Sequence, residues 1–135
     1  MPADADPVTV LSEDESWSLL SSVSLGRLVT ILDGQPEIFP VNFVIQRRTV
    51  LFRTAQGTKL FSAVMGDRVA FEADDHTAAG GWSVILKGRA HVLSATEEIL
   101  EAEETPLIPW IPTMKPLYVR VVALEITGRR FEFGT

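Results

Sequence analysis

A guanidinium, two hydroxyls, a glycine and an ammonium stand close together in Arg53-Thr54-Ala55-Gln56-Gly57-Thr58-Lys59. Each polar group in this segment donates to an anion. Arg53 offers a bidentate fork, Thr54 and Thr58 offer hydroxyls, and Lys59 is a compact positive charge. The segment also runs from a strand into a helix start, whose free amides point outward. This chemistry would hold a phosphate, although an ordinary strand-to-helix turn with solvated charges fits the same spacing equally well. The glycine pattern of a Walker loop is absent.

Further candidates lie on either side. Pro40-Val41-Asn42 breaks an apolar strand with a residue lacking an amide proton and a carboxamide that both donates and accepts. Such an edge could match a planar heterocycle, and a β-bulge with Asn42 bonded to nearby backbone explains it as well. Trp82, with Ser83 beside it, follows two glycines, and Trp110 lies between prolines. Both indoles could cover a cofactor or a second subunit, though core burial is the commoner fate of tryptophan. The chain has no cysteine and two histidines, His76 and His91, so thiolate chemistry is excluded and no metal site is expected. A single histidine such as His91 could still hold a haem iron. Glu97, Glu98, Glu101, Glu103 and Glu104 read as the wet face of a helix, and no Gly-x-Ser-x-Gly elbow supports a hydrolase.

The elements that must position these groups follow from periodicity. Ser12-Glu13-Asp14-Glu15 has the form of a capping box and starts a helix whose stripe of Trp17, Leu20 and Val23 ends near Val23. β patterns run from Arg27 to Leu32 and from Glu37 to Ile45, with Phe39, Val41 and Phe43 on one face and Asp33-Gly34 as a hairpin turn. A third strand, Thr49 to Thr54, leads into a short helix from Lys59 to Met65. A fourth strand, Arg68 to Ala73, is followed by a loop from Asp74 to Gly81 and a bent strand from Trp82 to Leu93 with a bulge at Gly88. Ser94-Ala95-Thr96-Glu97 repeats the capping-box form, and Tyr118 to Ile126 supplies a sixth strand. The predicted fold is mainly β, a six-stranded antiparallel barrel, closed or nearly so, with short flanking helices. An open α+β sandwich satisfies the same pattern.

At 135 residues and 46% hydrophobic content the chain makes one domain, expected over residues 12–135 with residues 1–11 as a flexible arm. A net charge of −6 argues against a nucleic-acid or anionic-membrane footprint, so any anion must be caught locally. No leader or membrane span is read from the sequence, and the lack of cysteine fits a cytoplasmic setting.

Taken together, Gly26-Arg27-Leu28, Pro40-Val41-Asn42, Arg53 to Leu60, Val69-Ala70-Phe71-Glu72, Gly81-Trp82-Ser83-Val84 and Gly88-Arg89-Ala90 resemble the pyridoxamine 5′-phosphate oxidase-like superfamily. The similarity runs from about Ser12 to Phe133 and is greatest to its short actinobacterial flavin and deazaflavin branch. The resemblance implies an FMN-binding split barrel, a homodimer with cofactor sites at the interface. By the same resemblance Arg53, Thr54, Thr58 and Lys59 hold the cofactor phosphate, and the strand at Val41 and Asn42 lies along the isoalloxazine. Trp82, Ser83 and Trp110 approach from the rim or the partner subunit. Relatives of this size use FMN, FAD or a deazaflavin, and some bind haem. The implied activity is flavin-dependent hydride transfer to a small substrate, with a non-catalytic FAD- or haem-binding protein or a deazaflavin-dependent reductase as alternatives. The arginine and histidine pattern that binds the substrate phosphate in true pyridoxamine-phosphate oxidases is missing, so vitamin B6 oxidation is not expected.

Overall fold

The computed structural model describes residues 7–55, 57–66, 68–107 and 116–134, with the backbone alone at residue 116. In chain order the elements are β1 (Val8–Leu11), α1 (Glu13–Leu20), β2 (Leu25–Leu32), β3 (Gln35–Gln46), β4 (Thr49–Ala55), α2 (Lys59–Val64), β5 (Arg68–His76), β6 (Gly80–Val92), α3 (Thr96–Glu103) and β7 (Pro116–Glu132).

All strand pairs are antiparallel, in the order β1-β7-β4-β3-β2-β5-β6, and β6 also pairs with β7. Strands β2 to β7 therefore close a six-stranded ring, as the sequence leads one to expect. The seventh strand, β1, is added to β7 beyond the end of β4, with Val8 opposite Phe131 and Leu11 opposite Gly128. Val8–Leu11, within the stretch read as a flexible arm, form this strand because the long β7 leaves a free edge there that β1 satisfies.

Alternation fills the barrel. Leu28, Val41, Phe43, Val50, Phe52, Phe71, Val84, Leu86, Val119 and Val121 all turn inward and are buried. The rings of Phe43 and Phe71 meet edge to face, 4.8 Å between centroids. Trp17 and Leu20 of α1 join this core. A second cluster of Leu51, Leu93, Ala102 and Leu107 lies on the outer side of β4, beneath α3. Strand β4 is thus covered on both faces, and its unbroken apolar run Val50-Leu51-Phe52 reflects this.

Several boundaries move for local reasons. The Ser12–Glu15 capping box forms in both directions. Helix α1 stops at Leu20, short of Val23, as the Ser21 and Ser22 hydroxyls donate to the carbonyls of Trp17 and Leu19 at 3.1 and 2.6 Å. The second capping box does not form: α3 starts after Ala95 with no side-chain cap. The expected loop from Asp74 to Gly81 is mostly strand, since β5 and β6 pair up to His76 and Gly81. The register shifts between Lys87 and Gly88, where the Val122 carbonyl leaves no room for a Cβ. Strand β7 runs six residues past Ile126, held by β6 and β1.

One buried polar group ties α3 to the barrel. Arg120 on β7, 7% exposed, donates to Thr49 Oγ1 at 2.7 Å and Gln46 Oε1 at 3.0 Å, and lies 3.9 Å from the Glu101 carboxylate. Gln46 in turn donates to the Glu101 carbonyl at 2.9 Å. Arg120→Ala strands these partners and should cost about 3 kcal/mol, read as a lower urea midpoint with an unchanged slope. A change below about 0.5 kcal/mol would show that the network adds nothing to stability.

Candidate functional site

Strands β3 and β4 pair only from Phe43 opposite Phe52 to the turn at Gln46 and Thr49. Past Phe43 the residues Gln35 to Asn42 pair with β2 alone, while β4 continues along β7 to Ala55. The barrel is therefore split between the first half of β3 and the end of β4. Helix α2 packs at this opening and buries Ala63 and Val64.

The anion-binding candidates sit at the split, and alternation divides them. Thr54 faces inward and is buried, with its hydroxyl 3.2 Å from that of Thr58. Thr58 caps α2: its hydroxyl accepts from the Phe61 amide at 3.1 Å and donates to the Ala55 carbonyl at 2.7 Å. Gly57, with φ +86, makes the turn that brings Thr58 back to Thr54. Lys59 reaches across the opening to Glu37 of β3, Nζ to Oε1 2.7 Å, and its side chain stays 60% exposed. Arg53 does not join them. It points to the outer side of β4, donates to the Leu107 carbonyl at 3.3 Å and lies over the Tyr118 ring at 5.3 Å. Its buried Nε has no hydrogen-bond partner among the described residues.

The other expected site residues separate in the same way. Val41 is 2% exposed and belongs to the core, whereas its neighbour Asn42 faces outward beside Leu25. Trp82 is 7% exposed and packs in the core, whereas Ser83 is on the outer face with its hydroxyl 3.4 Å from Glu72 Oε2. Trp110 lies outside the described residues. Asn42 and Ser83 thus share one outer face, with β2 and β5 between their strands, a span of roughly 14 Å. His91 is half-exposed, 3.9 Å from the Glu98 carboxylate. Among the described residues no group of three or more His, Asp or Glu could hold a metal ion, and no helix is long and apolar enough to cross a membrane.

That outer face carries a charged cluster the sequence reading did not single out. Arg27 Nη1 lies 2.7 Å from Glu72 Oε1 and 3.2 Å from Asp74 Oδ2. Register accounts for it: Pro40, Arg27, Glu72 and Ile85 stand in one row across β3, β2, β5 and β6. The available signal was the alternation of Phe71 and Ala73 with Glu72 and Asp74, which puts both acids outside. Around the cluster Leu25, Ile31, Ile38 and Ile85 are 42%, 65%, 64% and 42% exposed. Burial lifts the Glu72 carboxyl most, and the hydrogen bond and negative charge of Asp74 add to it. The pull of Arg27 offsets them in part, leaving Glu72 at about 7.

The folded chain therefore holds a proton on Glu72 that the unfolded chain releases from its ordinary 4.5 upward. The contribution to stability is full below that value and is lost as the pH rises through about 7. Removing the carboxyl in Glu72→Gln should shift the variant, relative to the parent, by about 1 kcal/mol in its favour between roughly pH 5 and pH 8, after allowance for partial exposure. Urea unfolding across that range measures it, and a pH-independent gap between the two proteins would mean that Glu72 ionises normally.

Comparison with known proteins matches this geometry. The family model described as pyridoxamine 5′-phosphate oxidase matches residues 12–130. An uncharacterized protein of Mycobacterium tuberculosis is 59% identical over 91 residues, 67% of this chain and 83% of that one. The structure of the FAD-binding protein from Mycobacterium smegmatis superposes with a TM-score of 0.87 at 54% identity, covering 93% of this chain and 100% of that one. The FAD- and haem-binding protein of the same organism, at 15% identity and a TM-score of 0.71 over 96% of this chain and 75% of that one, is alike in fold alone. A ring of strands split beside a capped helix, matched over nearly its whole length, makes this chain a member of the pyridoxamine 5′-phosphate oxidase family.

Proposed function

We propose that the chain binds a flavin nucleotide as a homodimer and works as a flavin-dependent oxidoreductase on a small substrate. The observation that carries this reading is the set of groups at the split: the Lys59 ammonium and the start of α2 lie where β3 leaves β4, beside a Thr58 hydroxyl whose proton goes to the Ala55 carbonyl in this structure and for which a phosphate would compete. This set fits a phosphate. It supplies donors beside a turn where Gly57 takes a φ of +86 and the space next to it is open. Glu37 neutralises Lys59 in this structure, so an incoming phosphate competes with a carboxylate for the ammonium. That competition sets a moderate affinity for the anion alone and leaves the remainder to the ring. Arg53 lies on the other side of β4, where it holds the Leu107 carbonyl.

From the split, the outer face of β3 leads to Asn42, the group that would meet the polar edge of a flavin ring. The exposed residues Leu25, Ile31, Ile38 and Ile85 form the face that a second copy would cover, enclosing the ring between subunits. A flavin supplies hydride exchange, and the chain need only bind, orient and shield it. FMN satisfies the phosphate site. The 54% identical relative described as FAD-binding favours the dinucleotide, whose FMN half would use the same donors.

A visible spectrum of the purified protein, with mass spectrometry of the released ligand, tests the class of cofactor. Flavin bands support the reading, whereas a haem Soret band or a deazaflavin mass replaces it. Reduction by a nicotinamide or deazaflavin donor followed by reoxidation by a substrate supports the enzyme, and a bound flavin that no donor reduces leaves a binding protein. Lys59→Ala should weaken flavin binding by about 10- to 100-fold and Thr58→Val by about 10-fold, with Thr58→Ser near the parent. Arg53→Ala should hold its affinity within about threefold. Release of flavin by that variant, and retention by Lys59→Ala, would move the phosphate to the other side of β4. Ile38→Glu should yield monomers in sedimentation that bind flavin poorly, and a full-affinity monomer would refute the interfacial site.

A further inference from the structure

At the end of the sheet away from Thr58, strands β5, β6, β7 and β1 lie side by side, and their register sorts the side chains into two faces. Asp75, Trp82 and Arg130 stand in one row on the side of the core. The rows on either side of it point outward. One holds His76, Gly81, Phe131 and Val8, and the other Asp74, Ser83, Arg129 and Val10.

The first outward row is aromatic with a gap in it. Gly81 has no side chain, so the surface drops to backbone between His76 and Phe131, whose Cα atoms are two strand spacings, roughly 10 Å, apart. A Cβ on Gly81 would come within 2.8 Å of the His76 Cβ, which keeps that floor bare. Phe133, 44% exposed, closes a third side, its ring centroid 5.6 Å from that of Phe131 and 6.4 Å from that of His76. Backbone bonds hold the frame: the Thr77 amide donates to the Gly80 carbonyl at 2.8 Å, and the Phe133 amide to the Ala79 carbonyl at 2.9 Å. A flat ring set over Gly81 meets aromatic side chains on three sides.

The second outward row supplies one cation. Arg129 is exposed and joins no ion pair or side-chain hydrogen bond among the described residues. Its neighbours across the strands, Val10 and Ser83, carry no charge. Asp74, one strand further, is engaged by Arg27 at 3.2 Å. A single guanidinium matches a single carboxylate fork to fork, and the nearby Asp74 works against the second charge of a phosphate. The two rows are roughly 7 Å apart along the strands, a gap that an arginine side chain spans.

We propose that this end of the outer face is a second ligand site, which takes a planar aromatic carboxylate. The ring lies over Gly81 among His76, Phe131 and Phe133, and the carboxylate accepts from Arg129. These side chains project from one face, and Asp75, Trp82, Arg130 and Glu132, on the other, take no part. The proposal does not rest on the flavin reading, because it uses none of the residues at the split.

Titration of the ¹⁵N-labelled full-length chain with benzoate, benzamide and cyclohexanecarboxylate tests it. Benzoate should shift the amides of Gly81, Arg129 and Phe131 in a saturable way. Benzamide lacks the charge and cyclohexanecarboxylate the flat ring, and each should bind at least fivefold more weakly. Arg129→Gln should weaken benzoate at least fivefold and leave benzamide within twofold, a split that a merely structural role for Arg129 would not produce. Absence of a saturable benzoate shift, shifts confined to Thr58 to Phe61, either analogue binding as tightly as benzoate, or unchanged benzoate affinity in Arg129→Gln would each overturn the proposal. Benzoate shifts that persist in Lys59→Ala would separate this site from the split, and their loss there would overturn it.

Discussion

Strand β7 is hydrogen-bonded along both edges: to β6 from Val119 to Glu132 on one side, and to β4 and then β1 on the other. That double pairing closes the ring. It satisfies the backbone of a 17-residue strand whose apolar first half enters the core and whose polar second half extends past it. The bulge at Gly88 belongs to the same constraint, since two long strands with a strong shared twist must shift register once to stay paired. The ring opens where β3 diverges from β4, and the helix that follows β4 packs there.

Alternation then assigns chemistry to compartments. Adjacent residues on a strand face opposite sides, so neighbours in sequence part company in space. Arg53 goes to the side of α3 and Thr54 to the core side; Val41 and Trp82 enter the core, and Asn42 and Ser83 reach the outer face. A cofactor on the outer face would meet Asn42, Ser83 and the Arg27 row, and would not touch Val41. Two groups of charged residues within the sheet meet different surroundings. Arg120 is satisfied by Thr49 and Gln46 where solvent cannot reach it, whereas Arg27, Glu72 and Asp74 share a face that is half open. Exposed pairs of this kind contribute little to stability on their own. Apolar side chains surround the cluster on that face.

Much of the architecture could be read from the chain alone. Asp33-Gly34 marked a hairpin, Ser12 and Glu15 a capping box, Gly88 a bulge, and the period-two runs gave all six ring strands, because these depend on local conformation and on the alternation of apolar side chains. The sequence also determined that Thr58 and Lys59 stand at a helix start, since a glycine and a hydroxyl between strand and helix leave few other arrangements. Tertiary structure decided the rest. Strand β1 exists only because β7 offers it an edge some 120 residues away in sequence. Arg27, Glu72 and Asp74 meet only because β2 and β5 pair through three residues. Arg53 parts from Thr54 and Thr58 because covering both faces of β4 gives its guanidinium a carbonyl and an aromatic ring on the far side. Local chemistry sets which groups can bind an anion, and the long-range register sets which of them point the same way.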